Sequence, residues 1–103
     1  FLRVGPIMLD RVEHTVTVAE EAVELTPTEF DILETLMREP GRVFSREEIL
    51  EAVHGVAFEA YERTVDAHIK NLRQKIEPDP ANPNYVLTVR GAGYRLNPEL
   101  DYA

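Results

Sequence analysis

Arg63, Asp66, Ala67, Lys70, Asn71 and Gln74 are the residues of this sequence whose types and spacing best suit chemistry. At about 100° per residue a helix gathers them on one face, and that face mixes cations, amides and one small residue. Cations meet phosphates, while amides and small groups meet the edges of bases, so the set suits a helix that enters the major groove of DNA. The opposite face carries Val65, Ile69, Leu72 and Ile76 at spacings of four, three and four. These form an apolar stripe for packing. Taken alone, residues 62–76 also fit an ordinary solvated surface helix, so the surrounding chain has to discriminate.

Composition narrows the choice. A chain of 103 residues can bury one modest core, and 44% apolar with 29% charged residues is a globular balance. The chain has no cysteine, which removes disulfides, thiolate catalysis and cysteine-bound metals. His14, His54 and His68 form no helical i, i+4 pair, so no metal site is expected. No carboxylate is paired with a nucleophile, and no phosphate-binding loop is present. Neither an enzyme nor a cofactor is therefore expected. No apolar run reaches the length of a membrane span and no signal peptide opens the chain, so a cytoplasmic protein is expected. The absence of an initial methionine suggests a segment of something longer.

A net charge of −8 runs against nucleic-acid binding, which is driven by phosphate neutralisation. Distribution matters more than the sum. Residues 1–62 carry five Lys/Arg against fourteen Asp/Glu, whereas residues 63–95 carry six against three. The candidate helix and the segment after it form a basic island in an acidic chain.

The elements that must position this island run in order along the chain. Leu2–Val4, Ile7–Leu9, Thr15–Val18 and Ala22–Leu25 predict short antiparallel strands over residues 1–25, with turns at Gly5-Pro6 and Glu20-Glu21. Thr26-Pro-Thr-Glu29 predicts a helix start with a capping box, and Phe30, Leu33, Leu36 and Met37, edged by Ile32, give its buried stripe. Pro40-Gly41 ends it. Arg42-Val-Phe44 is long enough for a single strand rung. Ser45-Arg-Glu-Glu48 opens a second, short helix with Ile49, Leu50 and Val53 inward. An irregular connection carrying Phe58 and Tyr61 leads to the candidate helix, so three helices occupy residues 26–76. After Ile76, Pro78, Pro80 and Pro83 make a stiff loop. Tyr85–Val89 and Tyr94–Leu96 then pair across Arg90-Gly-Ala-Gly93 as a hairpin over residues 85–96. The predicted fold is α+β: a winged helix-turn-helix with an N-terminal antiparallel sheet, three helices and a C-terminal β-hairpin wing. The domain would span residues 1–98, with residues 99–103 as a tail.

Four segments resemble the signatures of the OmpR/PhoB-type response-regulator DNA-binding domain, in the family's order and spacing. They are Leu25-Thr-Pro-Thr-Glu-Phe30, Glu39-Pro-Gly-Arg-Val-Phe-Ser-Arg-Glu47, Arg63-Thr-Val-Asp-Ala-His-Ile69 and Thr88-Val-Arg-Gly-Ala-Gly-Tyr94. The resemblance implies sequence-specific binding of double-stranded DNA for transcription control, by the effector domain of a two-component regulator with a receiver domain upstream. It also implies head-to-tail dimers on tandem or direct repeats. By the same resemblance Arg63 and Thr64 contact DNA at the start of the recognition helix, and Ala67, Lys70 and Asn71 face the groove. Arg73 flanks on the backbone, and His68 lies near a phosphate. Arg90, between Thr88 and Gly91 at the wing tip, enters the minor groove. His54, Phe58 and Tyr61 fall in the segment that touches RNA polymerase in some members.

Two positions depart from the family. Lys70-Asn71 stands where two successive cations are frequent, which moves the expected base preference from guanine towards adenine. His54 stands where tryptophan is common. Some residue roles stay open. Asp66 accepts from a cytosine amino group, orients Arg63, or serves the helix itself, and Thr64 touches DNA or serves the helix start. Lys70, Arg73 and Lys75 are expected at phosphates. The acidic stretch 29–51 is expected to face a receiver, a neighbouring protomer or polymerase. The rival reading is a winged-helix protein-interaction module that has lost DNA binding; the cations along 63–75 and Arg90 tell against it.

Overall fold

The computed structural model describes residues 1–54 and 62–100. Strands β1 (Leu2–Val4), β2 (Ile7–Asp10), β3 (Thr15–Val18) and β4 (Glu21–Val23) form an antiparallel meander in sequence order. Strict alternation puts Ile7, Leu9 and Val16 on one buried face. The last hairpin turns at Ala19-Glu20, one residue before the predicted Glu20-Glu21, and both turn residues have positive φ (51° and 70°). That is the geometry of a two-residue turn matched to strand twist. It pairs Val16 with Val23, so β4 stops at Val23 and leaves Leu25 to pack partly buried against the core. His14 is exposed as expected, yet its ring stacks on Phe30 at 3.8 Å between centroids.

Helix α1 (Pro27–Arg38) starts with the predicted capping box. Thr26 Oγ1 accepts from Glu29 N at 3.2 Å, and Glu29 Oε1 accepts from Thr26 N at 3.0 Å. Phe30, Ile32, Leu33, Leu36 and Met37 are all buried, so Ile32 is as deep as the predicted stripe. The second capping box opens α2 (Arg46–His54), with Ser45 Oγ accepting from Glu48 N and Glu48 Oε1 from Ser45 N. Helix α3 (Glu62–Ile76) packs its apolar stripe against α1 and α2. The final hairpin is β5 (Val86–Val89) and β6 (Gly93–Leu96). One core joins all these layers.

Arg42-Val-Phe44 supplies the single rung expected of it. Phe44 and Tyr94 exchange both backbone hydrogen bonds, at 2.8 and 2.9 Å, so this segment adds one bridge beside β6. Gly93 makes that approach possible. A Cβ there would lie 1.9 Å from the Phe44 carbonyl oxygen, and its φ is +143°. Gly91 differs: its φ is +75°, and the space a Cβ would fill is open. Gly93→Ala should therefore lower the unfolding free energy by about 3 kcal/mol or more, through strain and backbone displacement. Gly91→Ala, strained only in its dihedral, should cost about 1–2 kcal/mol. Urea denaturation of the two variants checks the contrast; equal losses would contradict it.

Candidate nucleic-acid interface

Along α3 the sequence pattern becomes a physical division. Val65, Ile69, Leu72 and Ile76 are buried, while Arg63, Thr64, Ala67, Lys70, Asn71 and Gln74 are exposed and His68 is half-buried. The predicted groove-facing residues thus share one open face. Asp66 and Arg73 sit at its border and are engaged within the protein.

Asp66 Oδ1 accepts from Arg46 Nε of α2 at 2.9 Å and from the Tyr94 hydroxyl of β6. Of the roles left open for it, the structure shows one that ties α3 to its neighbours. Tyr94 is buried, and burial pushes its phenol above the ordinary value, aided by the bond to the Asp66 carboxylate. It therefore stays protonated and donates. Arg73, expected at the DNA backbone, is engaged elsewhere. Its Nε and Nη2 reach the Val86 carbonyl at 3.0 and 2.8 Å, and Nη2 also reaches Thr88 Oγ1 at 2.8 Å. The guanidinium lies 5.5 Å from the Tyr94 ring centroid. Thr88, another expected contact, is exposed, and its hydroxyl accepts from Arg73.

Lys75, expected at a phosphate, turns back to Glu29 of α1 at 2.6 Å. Glu29 is therefore both a capping residue and a buried counter-ion. Burial pushes its carboxyl up, but the Lys75 hydrogen bond, the Thr26 backbone donor and the Lys75 charge outweigh this and hold it below the ordinary value.

The wing tip is a β-turn closed by Ala92 N donating to Val89 O at 2.9 Å, with Gly91 in its positive-φ position. This geometry presents Arg90 exposed at the apex. Sequence reading misses Glu77, which its position assigns to the start of the proline loop. It is buried, and its carboxylate accepts from the backbone N–H groups of Asn84, Tyr85 and Val86 at 2.8–3.0 Å. It thereby pins the entry of β5 to the end of α3. Tyr85, just before β5, gives its N–H to Glu77 while its carbonyl accepts from Asn97 N at 2.9 Å. Glu77 directly succeeds the helix and precedes a strand, but nothing in the sequence says which N–H groups it meets.

The basic island is also sharper than composition indicates. Arg11 and Arg38 pair with Glu34, Arg42 with Glu39 and Glu48, and Arg46 with Asp66. The Lys/Arg side chains without a hydrogen bond or ion pair among the described residues are Arg63, Lys70, Arg90 and Arg95. All four lie on α3 or the wing. His54 ends α2, and Phe58 and Tyr61 lie outside the described residues.

Helix pair, third helix with one open face and arginine-tipped hairpin define a winged helix-turn-helix. Residues 20–96 match the family model described as "Transcriptional regulatory protein, C terminal". The chain is 46% identical over 95 residues to the sensory transduction protein RegX3 of Mycolicibacterium smegmatis, covering 92% of this chain and 42% of that protein. It therefore spans less than half the length of that relative. Among solved structures it resembles the Klebsiella pneumoniae RstA DNA-binding domain in complex with the RstA box. That match has a TM-score of 0.87 and 31% identity and covers 95% of this chain and 97% of the other. It also resembles response regulator DrrB, a Thermotoga maritima OmpR/PhoB homolog, with a TM-score of 0.82 and 34% identity over 92% of this chain and 43% of that one. The chain belongs to the OmpR/PhoB-type family of transcriptional regulatory C-terminal domains, a family of DNA-binding regulators and not of enzymes.

The Glu29–Lys75 pair gives the contact of α3 with α1 a signed pH dependence. A carboxyl depressed in the folded state contributes stability that is fully present above its unfolded value, near 4.5, and is lost as pH falls through the lower folded value. In denaturant titrations, the stability advantage of the unsubstituted protein over Lys75→Met should therefore be largest near neutrality and be much reduced by about pH 3. An advantage unchanged down to about pH 3 would contradict the pairing.

Proposed function

We propose that this domain binds double-stranded DNA sequence-specifically, with the exposed face of α3 in the major groove and Arg90 in the minor groove. The carrying observation is that Arg63, Lys70, Asn71 and Arg90 stay exposed and uncommitted while neighbouring cations are engaged internally. Arg63 and Lys70 serve as phosphate contacts and Asn71 as a base reader favouring adenine, whose edge matches an amide's donor and acceptor. Ala67 leaves room for close approach, and His68 and Thr64 border the phosphate track. The Gly91 turn lets Arg90 approach the narrow groove's negative potential. The RstA domain, solved on its DNA box, supports this placement through its similarity.

The 103 residues then act as the effector part of a longer two-component response regulator, downstream of a receiver domain. The family and the chain's share of its relatives support this. Tandem sites, a head-to-tail dimer, a cytoplasmic setting and a polymerase contact around His54, Phe58 and Tyr61 complete the reading.

Selected duplexes should bind with a logarithmic salt slope of roughly −4 to −8, for about five to nine phosphates contacted. Asn71→Ala should relax preference at one base pair by roughly 1–3 kcal/mol and leave the salt slope unchanged. Anisotropy titrations over a panel of single-base variants check both. A flat salt response would refute DNA binding, and an unaltered base profile would remove Asn71 as a reader.

A further inference from the structure

Two ties join the wing to α3, and they start two helical turns apart on the same helix. From Arg73, Nε and Nη2 grip β5 at the Val86 carbonyl, and Nη2 grips the Thr88 hydroxyl. From Asp66, a carboxylate oxygen holds β6 through the Tyr94 hydroxyl and is itself braced by Arg46 of α2. The Arg73 guanidinium also lies over the Tyr94 ring, linking the two ties. A two-stranded hairpin is marginal on its own and takes its orientation from the elements it is fastened to. Thr88 and Tyr94 face each other one rung below the turn that carries Arg90, so both ties hold the strands just beneath that side chain.

We infer that Arg73 and Asp66 are positioning residues that set the wing against the recognition helix, so that Arg90 contributes fully only when both ties are intact. The inference rests on the DNA-binding reading above. It differs from a phosphate role for Arg73 in one measurable respect. A direct phosphate contact acts independently of Arg90, so the two losses would multiply and the salt slope would fall by about one. A positioning role makes the losses overlap.

The test is a set of double-substitution cycles on a selected duplex at fixed salt, with Kd measured for the 103-residue chain. Arg90→Ala should weaken binding about tenfold or more alone, but less than about threefold in an Arg73→Met background. The Asn71→Ala factor should be the same in both backgrounds, because α3 still docks. Thr88→Val and Tyr94→Phe remove one hydroxyl each and leave the charge intact. Each should shrink the Arg90 factor in part, so the test survives if Arg73→Met does not fold. An Arg90 factor unchanged in all three backgrounds overturns the inference alone. Failure of the unsubstituted chain to bind any selected duplex overturns it together with the reading beneath it.

Discussion

The grip on α3 is the constraint on which the rest of the domain depends. Four side chains, Val65, Ile69, Leu72 and Ile76, are buried along one stripe. At about 1.5–3 kcal/mol each they outweigh the polar ties, worth about 0.5–1.5 kcal/mol apiece for ordinary hydrogen bonds and up to about 3 for charged ones. Apolar packing therefore makes α3 a stable part of the core. The polar ties decide how it is oriented. Lys75 fastens its last turn to Glu29 of α1, Arg73 and Asp66 fasten it to the wing, and Glu77 fixes where the chain leaves for β5. Directional bonds at the border and undirected packing beneath leave one face of the helix unengaged.

The same division resolves how an acidic domain can meet a polyanion. Net charge is −8, yet within residues 1–54 Arg11, Arg38, Arg42 and Arg46 are matched to carboxylates. Fields at a contact surface depend on nearby charge, since exposed charges more than about 10 Å away are largely screened at moderate salt. The uncommitted cations lie together on α3 and the wing, although Glu47 of α2 shares a cleft with the wing-turn residues Gly91 and Ala92. The acidic half still lowers overall attraction to DNA, which favours specific contacts over indiscriminate ones.

Much of this is legible in the sequence because it is local. Both capping boxes, the two helix stripes, the proline loop and the glycine turn are patterns within a few residues, and each forms where expected. The longer-range features are not legible in the same way. Lys75 and Glu29 are 46 positions apart, and Arg73 reads as another cation on a basic helix until β5 is brought beside it. The bonds of Glu77 go to backbone N–H groups, which carry no sequence identity. Gly93 looks like a partner of Gly91, but it answers to a crossing with Phe44 that only the tertiary fold creates. In each of these cases the missing information is which distant segment arrives. The turn at Ala19-Glu20 is a local exception: it lacks the usual glycine or asparagine, so the acidic pair one step later attracts the assignment.

The proposed DNA surface is the exposed face of α3 with the Arg90 turn, and the sheet β1–β4 lies outside it. Backbone amide NMR during titration with a selected duplex tests this most directly. Shift changes should concentrate on residues 63–75 and 88–92 and leave residues 2–23 nearly unmoved. Changes centred on β1–β4 or on the acidic face of α2, with α3 and the wing silent, would contradict it.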